Sequence, residues 1–340
     1  MPDFRSLTIE ELTEWAASVG EPAYRAGQVF EWLHSKRVTS AADMTSLPKS
    51  LRESMPELIS IRRAQCLQSK DGTRKYLFEL NDGNYVESVL MRYKYGNTVC
   101  ISSQSGCRMG CRFCASTLQG LARNLTASEM LDQIYKITDD INERVSHVVM
   151  MGCGEPFDNY DNLVRFLRLI TDPAGYGLSR RNVTVSTCGL ADRIREFADL
   201  DMGVTLAISL HAPFDELRRT IMPITDRHSV SEVCDAAAYY HERTGRRITF
   251  EYALAKGIND GDDCADGLSR LARRLGAHVN LIPVNPVTER GYKPTAPTGV
   301  LGFKNKLEKQ GINVTIRREL GQDIDGACGQ LRNRRLEELK

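Results

Sequence analysis

The sequence has no surplus of charge of either sign. Its 340 residues carry 45 Lys+Arg against 44 Asp+Glu, a formal net charge of +1. This excludes a global field able to gather nucleic acid, membrane or acidic substrates, so any RNA must be held by local patches. No window approaches the ~20 apolar residues of a membrane helix. Met1 to Ala17 lacks a basic stretch followed by an apolar one, so the chain reads as a cytoplasmic protein without a secretory leader. Repeats and low-complexity tracts are missing as well, and a monomer is the default.

What remains is long enough for a sizeable core, as one large α/β domain or such a domain with a small appendage. Ten cysteines in a reducing compartment point to metal ligands or catalysts before disulfides. Their spacing decides which ones matter.

The first segment, residues 1–58, reads as a helical accessory domain. It has a capping-box pattern at Thr8 and Glu11, the apolar residues Val29, Phe30, Trp32 and Leu33, and a break at Pro48. Residues 59–95 change to short extended runs, Lys75–Leu80 and Tyr85–Leu90, separated by the turn-forming Asn81–Asn84. They predict a β-ribbon linker. From residue 96 to 320, short apolar runs alternate with amphipathic segments, as in βα units around a parallel sheet. The candidate strands are Thr98–Ser102, His147–Met151, Val183–Ser186, Thr205–Leu210, Ile248–Leu254 and His278–Val284, with a seventh run at Asn313–Arg317. Helices are expected over Thr126–Asp140 and Ser229–Arg243, with Glu129 and Glu232 at the capping-box offset. The fold class is therefore α/β, a partial TIM-type (βα)6 barrel with a small N-terminal helical domain, followed by a C-terminal loop and tail at 321–340.

Unusual residues follow the strands. Cys107 to Cys114 comes after the first, Gly152-Cys-Gly-Glu-Pro156 after the second, and Ser186-Thr-Cys-Gly189 after the third. Ser209-Leu-His-Ala-Pro213 follows the fourth and Asn285 the sixth. In a parallel barrel the C-terminal strand ends share one face, which carries the active site. These motifs converge there.

The spacing Cys107-x-x-x-Cys111-x-x-Cys114 lets three thiolates wrap one inorganic centre. A structural zinc site wants four protein ligands, and a fourth local cysteine is missing, whereas a [4Fe-4S] cluster on three thiolates leaves one iron open. Zinc-bound or merely buried cysteines are the competing reading.

This loop, with Phe113 before its third cysteine, resembles the signature of the radical S-adenosylmethionine (SAM) superfamily. The resemblance implies that Cys107, Cys111 and Cys114 hold a [4Fe-4S] cluster whose open iron chelates SAM and whose electron yields a 5′-deoxyadenosyl radical. It also implies that Gly152 to Pro156 contacts the methionine amino group. Four segments narrow the match: Thr98–Cys107, Val148–Pro156, Ser209–Pro213 and Ile324–Leu331. They resemble the bacterial adenosine C2 methyltransferases of 23S rRNA and tRNA over essentially the whole chain. By that resemblance Cys328 accepts a methyl group from one SAM, and the radical from a second SAM activates it for addition to adenine. Cys100 then resolves the adduct, leaving a transient disulfide, and Glu87 removes the ring proton. Two SAM are used per turnover, and a flavodoxin or ferredoxin supplies electrons. The implied SAM contacts are Gly154, Glu155, Ser186, Ser209, Leu210, His211 and Asn285.

Each residue also has a plainer reading. Cys100 alone would be a core residue, Glu87 a solvent-facing strand residue, His211 a hydrogen-bonded structural histidine, and Ser186 and Asn285 turn caps. Cys153 and Cys188 depart from the usual pattern and read as packing fillers. The arginine pairs at 62–63, 180–181, 218–219, 246–247 and 317–318 could contact phosphates. The target adenine must leave its stack to reach the radical. Rival readings are C8 methylation of the same rRNA adenine, against which Pro156 argues, a glycyl-radical activase, and a non-catalytic metal-stabilised RNA-binding module.

Overall fold

A computed structural model describes residues 3–284, 290–318, 320–324 and 330–338. The helical N-terminal segment contains α1 (Ile9–Ser18), α2 (Tyr24–Phe30) and α3 (Lys49–Ser54). The capping box at Thr8 forms, with its side chain accepting from the Glu11 amide and the Glu11 carboxylate accepting from the Thr8 amide. Three strands follow, β1 (Arg62–Gln68), β2 (Arg74–Glu79) and β3 (Tyr85–Tyr93), then β4 (Gly96–Cys100).

Beyond β4 come the short pair β5 (Gln104–Gly106) and β6 (Leu121–Asn124), and then the alternation the sequence predicts. It runs α4 (Ala127–Ile141), β7 (Val145–Met150), α5 (Tyr160–Thr171), β8 (Val183–Thr187), α6 (Ala191–Asp199), β9 (Thr205–Ser209), α7 (Asp215–Ile221) and α8 (Val230–Thr244). It continues through β10 (Thr249–Leu254), α9 (Asp262–Leu275), β11 (His278–Pro283), α10 (Pro297–Lys309), β12 (Val314–Ile316) and α11 (Gln330–Glu338). The capping boxes at Thr126 and Ser229 both form.

One ten-stranded sheet runs in the order β1-β2-β3-β4-β7-β8-β9-β10-β11-β12. From β4 onward every neighbouring pair is parallel. The ribbon β1–β3 is antiparallel and hydrogen-bonds directly to β4, so it extends the sheet as well as linking segments. The strands are apolar on the side that meets α4 to α10, where the main core lies.

The N-terminal helices are locked onto this core. Buried Arg5 pairs with buried Asp132 on α4 and donates to the Val38 carbonyl at 2.7 Å. His34 meets the Tyr135 hydroxyl at 3.0 Å, and burial lowers its pKa to about 3. An unpaired buried charge would be costly, and the Arg5 and Asp132 charges offset one another.

Candidate active site

The three-cysteine loop springs from the β5–β6 pair. Gly106, at φ +84°, passes so close to Gly120 that a Cβ would collide with its carbonyl, and the Cys107 amide donates to that carbonyl at 3.0 Å. The loop is then tied to itself and to its surroundings. The Thr117 hydroxyl donates to the Cys111 and Cys114 carbonyls at 3.1 and 2.9 Å, and the Arg112 amide donates to the Ile221 carbonyl at 2.9 Å. Sequence reading did not foresee the small sheet that makes this base.

The loop walls a cavity of about 240 Å³ over the C-terminal strand ends. Cys107, Cys111, Cys114, Gly154, Glu155, Ser186, Ser209 and His211 all line it. Burial pushes the Cys107 thiol up strongly and the Cys111 thiol to about 12, so metal binding must displace protons from neutral thiols. Among the described residues no three His, Cys, Asp or Glu side chains close on a single metal-ion position. The loop instead spreads three soft donors along one wall, a donor set that fits an iron–sulfur cluster.

The second-strand motif is built by close approach. A Cβ on Gly154, at φ +110°, would lie 2.6 Å from the Gln104 side chain and 2.7 Å from its backbone nitrogen. The Glu155 amide donates to Gln104 Oε1 at 2.8 Å. The Glu155 carboxylate faces inward and accepts from the Phe157 and Cys188 amides at 3.0 and 2.7 Å, while burial raises its pKa. Ser186 and Ser209 sit with hydroxyls 3.5 Å apart. His211 adopts φ +56°, and its Nδ1 accepts from the Ala253 amide at 2.9 Å. That bond places the proton on Nε2, and burial beside Arg218 lowers the imidazole pKa to about 3. Its ring meets Phe113 edge-on at 4.7 Å.

Other expected residues fall elsewhere. Leu210 turns into the main core, so only its backbone is near the cavity. Cys100 is buried with Val89 and Met91 beside Tyr93, Val149, Met151 and Leu320. Glu87 is neither exposed nor on the cavity wall. It pairs with fully buried Lys75 at 3.1 Å, and its Oε1 accepts the Arg332 amide at 2.5 Å. Asn285 and Cys328 lie outside the described residues.

Cys153 and Cys188 are buried, and both have further duties. Cys153 Sγ accepts from the Gly106 amide at 3.2 Å. The Cys188 peptide bridges Glu155 and Arg218, whose Nη2 donates to its carbonyl at 2.6 Å.

Sequence reading missed two members. Arg218 is fully buried and gives its protons to the Leu210, Cys188 and Ser209 carbonyls and the Thr225 hydroxyl. It cannot be the surface phosphate contact its pairing with Arg219 suggested. Glu251 lines the cavity and accepts from Asn280 Nδ2 at 2.8 Å, and burial pushes its pKa up to about 7. Its inward face on β10, two residues before cavity-lining Ala253, was the available signal.

Parallel strands under helices, a three-cysteine loop after the first of them and a glycine-glutamate turn after the second define the class: a radical SAM enzyme. The radical SAM superfamily model matches residues 101–265, and the model of the ribosomal RNA large subunit methyltransferase N-terminal domain matches residues 3–61. A crystal structure of a radical SAM methyltransferase from Sphaerobacter thermophilus superposes with a TM-score of 0.92 at 40% identity, covering 97% of this chain and 99% of that one. A probable dual-specificity RNA methyltransferase RlmN from Lachnospira eligens is 56% identical over 100% of this chain and 98% of its own length. The protein of the same name from Geobacillus kaustophilus is 52% identical, covering 98% and 93%. The chain belongs to the RlmN family of radical SAM RNA methyltransferases.

Proposed function

We propose that the protein methylates C2 of an adenine in both 23S rRNA and tRNA, using two SAM per turnover and electrons from a flavodoxin- or ferredoxin-type donor. Cys107, Cys111 and Cys114 would hold a [4Fe-4S] cluster, which would supply the electron for reductive cleavage of SAM. Gly154 brings the backbone close enough for the methionine end to be bound. Glu155 organises the turn beneath it, and Ser186, Ser209, the Leu210 backbone, neutral His211 and Asn285 orient the rest. Cys328 carries the methyl group as S-methylcysteine, gives up a hydrogen to the radical and joins the adenine. Cys100 attacks the Cys328 sulfur, so that a disulfide forms as the sulfur–carbon bond breaks and the released carbon takes a proton to become the methyl group.

The carrying observation is how the chain is held on both sides of Cys328. Upstream, Leu320 packs on the cluster containing Cys100, the Gly321 amide donates to Asp71 at 2.9 Å, and Asp323 accepts from the Lys70 amide at 3.2 Å. Downstream, the Arg332 amide donates to Glu87, and Asn333 Nδ2 donates to the Ala115 carbonyl at 2.8 Å. Ala115 adjoins Cys114. The described residues on the two sides of 325–329 are thus anchored, one beside Cys100 and the other beside the cysteine loop. For Glu87, proton acceptance is part of the proposal, and its partners show a second duty in anchoring α11.

Anaerobic assay on unmodified rRNA and tRNA fragments, with the modified atom located by mass spectrometry, tests the reading. Cys100→Ala should trap protein covalently joined to RNA, and Cys328→Ala should give neither adduct nor product. Glu87→Gln should accumulate adduct if the carboxylate takes the ring proton. A C8 product, or normal turnover by Cys100→Ala, overturns the assignment.

A further inference from the structure

The first turn of α11 carries a charge that the transfer steps do not use. Arg332 is 2% exposed, and its guanidinium meets neutral acceptors. Nε donates to the Tyr85 carbonyl at 3.0 Å and Nη2 to the Ser105 hydroxyl at 3.2 Å. Nη1 is buried without a hydrogen-bond partner. Among the described residues no carboxylate pairs with the guanidinium. Glu87 accepts the Arg332 amide, and its own charge is matched by Lys75 at 3.1 Å.

A cation buried without a counter-charge is expensive, and its position shows what would offset the cost. Ser105 stands on β5 two residues before Cys107, a span of at most ~7 Å. Asn333, the next residue on α11, donates to the carbonyl of Ala115, which follows Cys114. Arg332 and Asn333 thus bridge the two ends of the cysteine loop. Three thiolates around a [4Fe-4S] core make a negative centre, and one added electron makes it more negative. A fixed cation in a dry interior favours the more negative state.

We propose that Arg332 is the built-in counter-charge of the cluster, stabilising its reduced state and so raising the potential at which the electron for SAM cleavage is accepted. This rests on the cluster reading above. The electron comes from the external low-potential donor, and no bond or proton moves at Arg332. It is a positioning residue in this role, acting through the centre and not on substrate. The coupling is reciprocal, so a loaded loop holds α11 more tightly than an empty one.

The test uses full-length wild type, Arg332→Lys and Arg332→Gln, each reconstituted anaerobically with iron and sulfide. Midpoint potentials are read by electron paramagnetic resonance across a mediated dithionite titration. Arg332→Gln should have a reduction equilibrium about tenfold less favourable, a shift of ~59 mV to more negative potential for one electron. Arg332→Lys keeps the charge and should stay near wild type. Equal potentials in all three proteins, or the same shift in both variants, overturn the counter-charge.

Hydrogen exchange in wild type alone gives a second measurement that no variant can spoil. The α11 amides should exchange about tenfold more slowly in loaded than in empty protein, and equal protection overturns the coupling. Wild type that takes up no cluster would overturn the underlying reading, an outcome distinct from a cluster whose potential ignores Arg332.

Discussion

On the cofactor side of the cavity, the walls are held by bonds among adjacent strand ends. Glu155 takes the Cys188 amide, Arg218 gathers three carbonyls from the turns after β8 and β9, and His211 takes the Ala253 amide. On the side proposed for carbon transfer, Glu87 is reached by an amide 245 positions away and Asp71 by one 250 positions away. The first wall is complete once the parallel strands are paired. The second exists only when Leu320, Gly321, Asp323, Arg332 and Asn333 dock onto the β1–β2 turn, β3 and the cysteine loop. Radical generation and carbon transfer should therefore come apart under mutation.

The largest effect is expected where the cofactor wall has no room. Gly154→Ala adds a Cβ against backbone at a φ that L-residues avoid, costing about 3–5 kcal/mol. Denaturant unfolding should show that loss, and the yields of 5′-deoxyadenosine and methylated RNA should fall together. Tolerance of this change would break the claim that the wall is rigid.

A smaller and more selective effect is expected on the transfer side. The Arg332 guanidinium donates to the Tyr85 carbonyl at 3.0 Å and the Ser105 hydroxyl at 3.2 Å. Arg332→Met leaves both acceptors buried, a cost of about 2–3 kcal/mol. Methylation should drop more than SAM cleavage, so the ratio of 5′-deoxyadenosine to product should rise. A constant ratio would mean that the two sides work as one.

The smallest effect on turnover is expected from a pH dependence of stability. Burial holds the Glu251 carboxyl at about 7 against an ordinary 4.5, so the folded protein keeps a proton that the unfolded chain has lost between those values. Stability must then fall as pH rises through that window, by up to about 3 kcal/mol. Glu251→Gln removes this contribution, and its melting temperature relative to wild type should climb from pH 5 to pH 8. An unchanged difference would show that the carboxyl titrates normally.

The same division explains what could be read from residues alone. The parallel strands and the three capping boxes were legible because their signals are local: apolar runs of strand length, and Ser or Thr three residues before Glu. The Gly152 to Pro156 turn and the cysteine loop were legible because their chemistry is contiguous. The pairing of β5 with β6 was not, since each is too short to show a period. His211 gives no hint of its left-handed backbone, which the Ala253 bond and the close packing around Asn259 sustain. Arg218 reads like a helix-surface arginine and ends fully buried, because only tertiary contact brings three carbonyls to its guanidinium. Glu87 could not show its partner, as Lys75 lies diagonally across the β2–β3 ladder, two residues out of register with it.

The bond from Asn333 to Ala115 spans 218 positions. A ribosome adding roughly 5–20 residues per second needs on the order of 10–40 s to cover that distance. Throughout that interval the cysteine loop has been synthesised but lacks the bond that ties it to α11. The molecule's own chain order thus leaves a period in which the cysteine loop is made and the helix that later docks against it is not.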